Sequence, residues 1–453
     1  MQPKKKPWYA SLKKVLFKSK GQLLSNMLTV GIVTLSVKGI AFFKEMTVAK
    51  IYGVSILLDT YLIAVLVPTF IHNVFLNSYA SVFIPNYVQE QKENKNTNAF
   101  IGTSFLVTIA MSLFMIMLTY LCLDYYLEVL FPGHDLQYYE LIKTQLWILL
   151  PSILFWGISS LITGLLMVAD DFLYSSLNAF FVPLVTIIML LGFQEHFQEK
   201  TLALGMLIGS ICSCLYLIII SLNKKVLQIE KPDFKNRNIH ILLKQVPAKM
   251  SSSLMAGANT MVDQYFSAQL ALGAIASLSY GYKIPLVFIG LIGSTIGNTL
   301  LPYFSKKALE GSKKLYKEFR RIMGISIISI GTITLLLIIL SKLIIRLVFE
   351  RGEFTEKDTD IVYVIQQMYL LQLPFYVIGV VMNKYLTAIN KNNFLVFSAF
   401  LCLILNIILN FILIHILGIK GVALATALVS LCNSFFIYLY IRKLQKKSID
   451  IAE

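Results

Sequence analysis

Four cationic side chains stand in segments that are otherwise apolar enough to cross a membrane. They are Lys38, Lys44, His72 and Lys283. A cation at the middle of a bilayer costs about 2.5–3.5 kcal/mol on insertion scales, so such residues usually face a polar interior. With the nearby acids Glu45 and Asp59, they predict a positively charged central cavity that suits an anionic substrate, above all one with phosphate groups. The simpler alternatives are that the lysines extend to the membrane surface and that His72 is a hydrogen-bonded core residue.

A second polar set lies in the C-terminal half of the chain. Asp263 interrupts the segment NTMVDQYF, and Asn406 and Asn410 are four residues apart in LNIILN. Residues four apart share a helix face, so the two asparagines point the same way. With Thr426 of GVALATALVS, they either join helices by hydrogen bonds or form an oxygen-only site for a hard cation such as Na⁺, with Asp263 supplying the charge.

The elements that position these residues are predicted to be membrane-spanning helices. The chain has 453 residues, of which 57% are hydrophobic and 14% charged, against about 25% charged in soluble proteins. Its many apolar stretches of roughly 20 residues match the thickness of a bilayer. We therefore predict an all-α polytopic membrane protein with about twelve spans in two six-helix lobes around a central cavity.

The longest connection between spans divides the chain into two halves. The predicted parts are a basic cytoplasmic tail (1–21), a first six-helix lobe (22–222), a cytoplasmic linker (223–241), a second six-helix lobe (242–441) and a cytoplasmic tail (442–453). Pro68 and Pro85 are 17 residues apart, as are Pro285 and Pro302, and each pair is displaced from the other by 217 residues. This spacing indicates a duplication, and an even number of spans in each half makes the repeats parallel.

The charged residues indicate how the chain is oriented. Of the twelve predicted spans, the first is 22–44, the second 57–84 and the seventh 242–268. With this count the basic tails and loops all fall on one side of the membrane; they are 1–20, 89–98, 223–238, 305–321 and 442–447. The loop 124–140 falls on the other side and has no Lys or Arg. Cytoplasmic loops are enriched in these residues, so both termini are predicted to be cytoplasmic. The net charge of +16 is thereby explained without nucleic acid as a partner.

The sequence contains no motif of a catalytic site. We find no Walker A, GxSxG or HExxH pattern, and the five cysteines lie in apolar segments without metal-ligand spacing. The protein is therefore predicted to be a transporter and not an enzyme, and to need no cofactor apart from Na⁺ as a possible coupling ion.

Four stretches resemble one known family, in order along the chain. They are GIAFFKEMTVAKIYGVSILLDTYLIAVLVPTF (39–70), SLSYGYK…GNTLLPYFSK (277–306), FERGEFTEKDT (349–359) and IKGVALATALVSLCNSFFIYLYIRK (419–443). The sequence resembles the MviN/MurJ family, the lipid II flippases of the MOP exporter superfamily, and FERGEF is the most specific of these motifs.

This resemblance implies a MOP/MATE-like fold, an activity and roles for particular residues. It implies a flippase that moves a polyprenyl-pyrophosphate-linked glycan, the peptidoglycan precursor lipid II, to the outer face of the bacterial cytoplasmic membrane by alternating access. The cavity arginines of the family fall on Lys38, Lys44, His72 and Lys283. With the nearby acids Glu45 and Asp59, these residues form the predicted substrate site. A sodium site of the family falls on Asp263, Asn406, Asn410, the carbonyl of Val422 and Thr426. The implied partners are the lipid-linked glycan, the phospholipid bilayer and the machinery of cell-wall or polysaccharide synthesis.

Three other functions fit parts of the sequence. The substrate could be an O-antigen, capsule or exopolysaccharide repeat unit on the same kind of lipid carrier. A cation-coupled multidrug exporter shares the fold class but usually needs acids in its cavity, where this chain has lysines. A membrane scaffold that binds precursors without transporting them would not need charges at mid-membrane.

Overall fold

The computed structural model describes residues 31, 33–93, 96–270, 272–391 and 393–450, and this part of the chain is helical, without a β-strand. The first ten helices are α1 (33–52), α2 (Ile56–Ile71), α3 (Asn77–Lys92), α4 (Thr97–Leu130), α5 (Leu136–Leu149), α6 (Ser152–Val168), α7 (Phe172–Leu177), α8 (Phe181–Gly192), α9 (Gln194–Phe197) and α10 (Thr201–Asn223). The remaining eight are α11 (Arg237–Ala268), α12 (Ala274–Leu309), α13 (Ser312–Ile339), α14 (Ser341–Phe349), α15 (Glu356–Leu370), α16 (Gln372–Ala388), α17 (Asn393–Leu417) and α18 (Ile419–Asp450).

Ten helical stretches of the described residues are long and apolar enough to cross a membrane. The predicted seventh span, 242–268, is helical as part of α11 but is not among the ten. Its sequence is too polar, because SSS at 251–253 and the segment NTMVDQ dilute the apolar residues. The predicted first span, 22–44, lies partly outside the described residues, as does the whole predicted tail 1–21, and the helix seen there runs on to residue 52.

Two predicted connections are more helical than the sequence suggested. The prediction of a loop at 305–321 is wrong, because most of this basic segment is helical. Helix α12 continues to Leu309, and α13 begins at Ser312. The basic start of α13 is helical because it is amphipathic, with Leu315 and Phe319 buried between exposed lysines. The predicted linker 223–241 likewise ends in a helix, since α11 already begins at Arg237.

The helix of the predicted second span changes its winding in the middle. Between α2 and α3, residues His72–Leu76 form one turn of π-helix, a few residues after Pro68. Proline removes a backbone hydrogen bond and kinks a helix, and π turns are frequent at functional positions. The distortion begins at His72, one of the four predicted cationic residues.

The chain divides into two compact units whose segments alternate along the sequence. Unit 1 comprises the residues up to Thr47, Ile71–Tyr120 and Leu146–Lys249, and unit 2 comprises Val48–Phe70, Leu121–Gln145 and Met250 onward. The predicted lobes 22–222 and 242–441 would divide the chain only once. The grouping of helices into two repeated lobes therefore stays a prediction.

Unit 1 is held together by close packing of α10 on α8 and α6. The segment GMLIG places Gly205 and Gly209 on one face of α10, where added Cβ atoms would lie 2.9 Å from the Thr186 Cα and 2.7 Å from the Val182 Cα of α8. Small residues four apart are what lets two membrane helices approach so closely.

Unit 2 is built around α12, which packs along α15 and α16, while α17 and α18 pack together. One end of its core is aromatic, with Phe304, Phe319 and Tyr385 fully or almost fully buried against one another. At the other end, Tyr280 contacts Phe349 and Phe354 of the FERGEF motif. The long helix α12 thus forms the frame on which the polar residues of unit 2 are arranged.

Candidate functional site

Unit 2 contains a polar cavity of about 340 Å³ between apolar helices. Its lining includes the predicted residues Asp263, Lys283 and Thr426. The other lining residues are Asn259, Thr260, Gln264, Ser267, Ile275, Leu278, Ser279, Tyr282, Leu286 and Tyr369. The polar members on α11 and α12 recur at helical spacing, so each helix turns one polar face toward the cavity.

Asp263 is the centre of a hydrogen-bonded cluster beside this cavity. Its Oδ1 accepts from Asn406 Nδ2 at 3.0 Å and from Asn410 Nδ2 at 2.9 Å. Thr426 Oγ1 is 3.4 Å from the other carboxylate oxygen and 3.3 Å from the Val422 carbonyl oxygen. The structure therefore brings together all five residues of the predicted cation site, from α11, α17 and α18.

The donor set of this cluster fits a small hard cation. Its residues carry a carboxylate, two side-chain amides, a hydroxyl and a backbone carbonyl, and oxygen ligands are those that hard cations prefer. In this structure the two amides turn their Nδ2 atoms toward the carboxylate, so their oxygens would reach a cation after rotation of the amide groups. Asn410 Oδ1 is buried and has no hydrogen-bond partner, which is costly for a polar atom that no ligand satisfies. Among the described residues, no group of three His, Cys, Asp or Glu side chains is placed to hold a metal ion, so a site for a transition metal is not indicated there.

Lys283 lies on α12 and shares the cavity with Asp263. Tyr282 precedes it in the sequence and packs on Tyr369 of α15, with ring centroids 4.9 Å apart. Two further acceptors near the cavity, Asn259 Oδ1 and Gln264 Oε1, are buried without a hydrogen-bond partner. Sequence reasoning missed Asn259 and Gln264. Asn259 stands four residues before Asp263 and therefore on the same face of the helix, and this spacing is a signal that could have indicated it.

The other predicted cationic residues belong to unit 1. Lys38 is exposed on α1, and Lys44 forms a salt bridge of 2.6 Å with its neighbour Glu45. His72 Nε2 is 3.2 Å from Ser160 Oγ of α6, and its ring meets the Trp156 ring edge-on at 5.6 Å. Their roles in binding substrate stay predictions.

Asp59 is buried, and the backbone of α12 occupies both its carboxylate oxygens. Oδ2 accepts from the Gly273 amide and Oδ1 from the Ala276 amide, each at 2.6 Å. A carboxylate at a helix N-terminus satisfies amides that have no partner within the helix and complements the helix dipole. Asp59 is therefore a helix cap in this structure, which is a structural role, and direct contact of its carboxylate with substrate stays a prediction.

The FERGEF motif packs against the same end of unit 2. Gly352 has φ +60°, and a Cβ there would lie 2.1 Å from the Lys50 carbonyl oxygen. The Glu353 amide donates to that carbonyl at 2.9 Å. The motif is thus explained by close backbone packing, where only glycine fits.

A buried carboxylate in unit 1 was missed by sequence reasoning. Glu90 of α3 is fully buried and accepts from Asn236 Nδ2 at 2.8 Å and Asn238 Nδ2 at 2.5 Å. Earlier in the linker, the Glu230 carboxylate accepts hydrogen bonds from Asn98 and Asn96. These bonds hold the pKa of the Glu230 carboxyl below the usual range. The linker is therefore fastened to the ends of α3 and α4.

Comparison with known proteins relates most of the chain to one family. The family model described as lipid II flippase MurJ matches residues 48–452. A probable lipid II flippase MurJ of Buchnera aphidicola subsp. Schizaphis graminum is 25% identical over 425 residues, covering 92% of this chain and 82% of the relative.

Solved structures give the same relationship. A lipid II flippase MurJ in an inward closed conformation matches with a TM-score of 0.79 and 25% identity, over 92% of this chain and 87% of the other. An inward-facing multidrug resistance transporter of the MATE family, in the MOP superfamily, matches with a TM-score of 0.73 at 13% identity, over 92% and 99%. The second likeness concerns the fold alone.

Proposed function

The chain belongs to the MurJ family of lipid II flippases, and from this premise we propose that it moves lipid II from the inner to the outer face of the bacterial inner membrane. It is a multi-pass membrane protein with the helical fold of the MOP superfamily. The observation that carries the proposal beyond family membership is the polar cavity of unit 2, with Lys283 in its lining.

Lys283 is the residue we propose as a phosphate contact. A lysine binds phosphate as a point charge with three donors, and the surrounding hydroxyls and amides suit the polar groups of a glycan headgroup. The cavity of about 340 Å³ is smaller than a complete headgroup, so it would hold the part next to Lys283. Lys38, Lys44 and His72 are further proposed contacts in unit 1.

The cluster at Asp263 is proposed to hold Na⁺. Its five residues would contribute oxygens from three helices, and a bound cation would supply positive charge that links α11 to α17 and α18. The asparagines can serve in this way because each amide carries an acceptor as well as the donor seen here.

Both termini are proposed to be cytoplasmic. The chain is further proposed to act between two groups of enzymes, one on each side of the membrane. Those on the inner side assemble the lipid-linked precursor, and those on the outer side polymerise it. No ATP-binding motif was found in the sequence, so the membrane potential or the proposed cation would supply the driving force.

The proposal is tested by depleting the protein in its own host and measuring lipid-linked precursors by mass spectrometry. We expect lipid II to accumulate several-fold while the cell wall fails, because precursor synthesis continues on the inner side. Unchanged lipid II together with accumulated repeat units of another glycan, in cells with intact walls, would contradict the assignment. Depletion of a MATE-type exporter would alter neither pool.

A further inference from the structure

Helix α12 lies closer to α15 at Gly281 than a side chain there would allow. A Cβ atom on Gly281 would lie 2.6 Å from Cγ2 and 3.1 Å from Cβ of Ile365, and 3.2 Å from the backbone nitrogen of Gln366. Non-bonded carbon atoms normally approach each other to about 3.5–4.0 Å. A methyl group at this position would therefore have to push the two helices apart by roughly 1 Å.

The side chain that faces Gly281 has no room to yield. Ile365 is fully buried. It belongs to a core cluster together with Leu278, Tyr369, Val422 and Ala423. Protein cores are close-packed, so an added methyl group displaces neighbouring elements. Helix α15 also begins with a capping box, which stabilises its first turn. Ile365 therefore acts as a fixed stop for α12.

The turn of α12 that starts at Gly281 is held less firmly by its own backbone. Pro285 lies four residues further on inside α12, and proline has no N–H group to donate to the carbonyl of the residue four before it. Lys283 lies between the two. It is two positions from Gly281 and so about 200° around the helix, and it lines the polar cavity. Packing on α15 therefore determines where this turn, and with it the base of the lysine side chain, is placed.

A second contact joins the same turn to α15. The rings of Tyr282 and Tyr369 pack with their centroids 4.9 Å apart, and both side chains line the cavity together with Lys283. The close approach at Gly281 fixes the distance between the two helices, and the tyrosine pair restricts the rotation of α12 about its axis.

We propose that Gly281 is a positioning residue for Lys283, because its missing side chain lets α12 lie at the distance from α15 that places the lysine ammonium for contact with a phosphate group. The inference rests on the proposed function, which makes Lys283 the phosphate contact. A hydrogen bond needs a donor–acceptor distance of about 2.7–3.2 Å. Moving the base of the side chain by about 1 Å weakens this bond unless the lysine leaves a favoured rotamer, so we expect a partial loss of binding.

The experiment measures the affinity of the purified full chain in detergent for inorganic pyrophosphate, by isothermal titration calorimetry. Gly281→Ala is expected to lower the affinity by a factor of about three or more. Lys283→Gln is expected to lower it by a factor of about ten or more. Gly290→Ala is the matched control on the same helix, because a Cβ there has no neighbour within 4 Å, and it should bind as the wild type does.

Combined variants separate positioning from a general loss of structure. In Lys283→Gln, the further change Gly281→Ala should leave the affinity as it is, because the residue through which it acts is gone. In Gly281→Ala, the further change Ile365→Ala removes the Cγ2 atom that the new methyl group meets and should restore most of the affinity. A merely structural role predicts an equal loss in both backgrounds and no rescue.

A variant that leaves the glycine in place tests the same inference. Tyr369→Leu removes the second contact with α15. It should weaken pyrophosphate binding in the wild type but not in Lys283→Gln, so the test does not depend on whether Gly281→Ala folds. An equal loss of affinity in both backgrounds would overturn the inference.

Three further results would also overturn it. They are equal affinities for the wild type and Gly281→Ala, a further loss when Gly281→Ala is added to Lys283→Gln, and no binding of pyrophosphate by the wild type. The binding is measured without lipid II. The expected pattern in a chain that does not transport lipid II would therefore refute the proposed transport alone.

Discussion

Individual side chains carry most of the functional argument, and the sequence indicated them to different degrees. The spacing of Asn406 and Asn410 and the isolated charge of Asp263 pointed to one polar cluster. In the structure, the Nδ2 atoms of both asparagines lie within 3.0 Å of the Asp263 carboxylate. That Lys283 shares a cavity with Asp263 could not be predicted, because it depends on how α11 and α12 are rotated against each other. Asp59, like Asp263, is an acid in an apolar segment and was therefore predicted to be functional. Its partners in the structure are backbone amides far away in the sequence.

The first prediction concerns Gly352. We expect Gly352→Ala to lower the stability of the protein by about 1–3 kcal/mol, because alanine is strained at positive φ and its methyl group would collide with the Lys50 carbonyl oxygen. Thermal unfolding in detergent measures the effect. Gly331→Ala is the control, since a Cβ at that helical position has no neighbour within 4 Å. Equal melting temperatures for the two variants would contradict the packing role given to the motif.

At the scale of helices, the length of the apolar segments predicted most of the membrane spans. Polar residues give one predicted span, the seventh, a low mean hydropathy. Helices such as α4 and α17 are apolar over most of their length and were evident from the sequence. The seventh predicted span is a helix whose polar face lines a cavity, so its average hydropathy is low. The helical start of α13 was missed because its lysines resemble a loop, whereas the buried pair Leu315 and Phe319 makes it amphipathic.

The cap of α12 gives the second prediction. Asp59→Asn is expected to destabilise the protein by about 1–2 kcal/mol, because the neutral amide has one acceptor oxygen for two helix amides and loses the interaction with the helix dipole. The melting temperature measures this loss. Asp360→Asn is the matched control, since Asp360 pairs with Lys342 on the surface, where both side chains are about half exposed and such pairs contribute little. A control variant as destabilised as Asp59→Asn would contradict the capping role.

For the molecule as a whole, charge distribution and apolar length together predicted the class of protein. They gave a polytopic helical membrane protein, and the comparisons with MurJ and MATE transporters confirm that fold. The division into compact units could not be read from the sequence, because residues 48–70 and 121–145 pack with segments that follow them by more than a hundred residues. Such groupings depend on tertiary packing and not on the order of spans.

The orientation in the membrane gives the third prediction. In a variant without native cysteines, we expect Lys357→Cys, in the segment after FERGEF, to react with a membrane-impermeant maleimide on intact cells. Lys314→Cys, in the basic start of α13, is expected to react only after the membrane is opened, because positively charged segments stay inside. Both side chains are exposed in the structure, so access to the reagent decides the result. The opposite labelling pattern would reverse the proposed topology.

The central claim is that this chain transports lipid II and that Lys283 contacts the substrate's phosphate. It is tested most directly by reconstituting the purified protein in vesicles that contain lipid II with a fluorescent headgroup, and following how fast labelled lipid from the inner leaflet becomes accessible to an external quencher. We expect the wild type to make it accessible rapidly. The control Lys391→Gln makes the same chemical change at an exposed lysine outside the cavity lining and is expected to be as fast. Lys283→Gln should be slower by a factor of about ten or more. A hydrogen bond to a charged group contributes about 1.5–3 kcal/mol, and each 1.4 kcal/mol is a factor of ten. A wild type no faster than protein-free vesicles would contradict the transport claim, and a Lys283→Gln variant as fast as the wild type would contradict the role of the lysine.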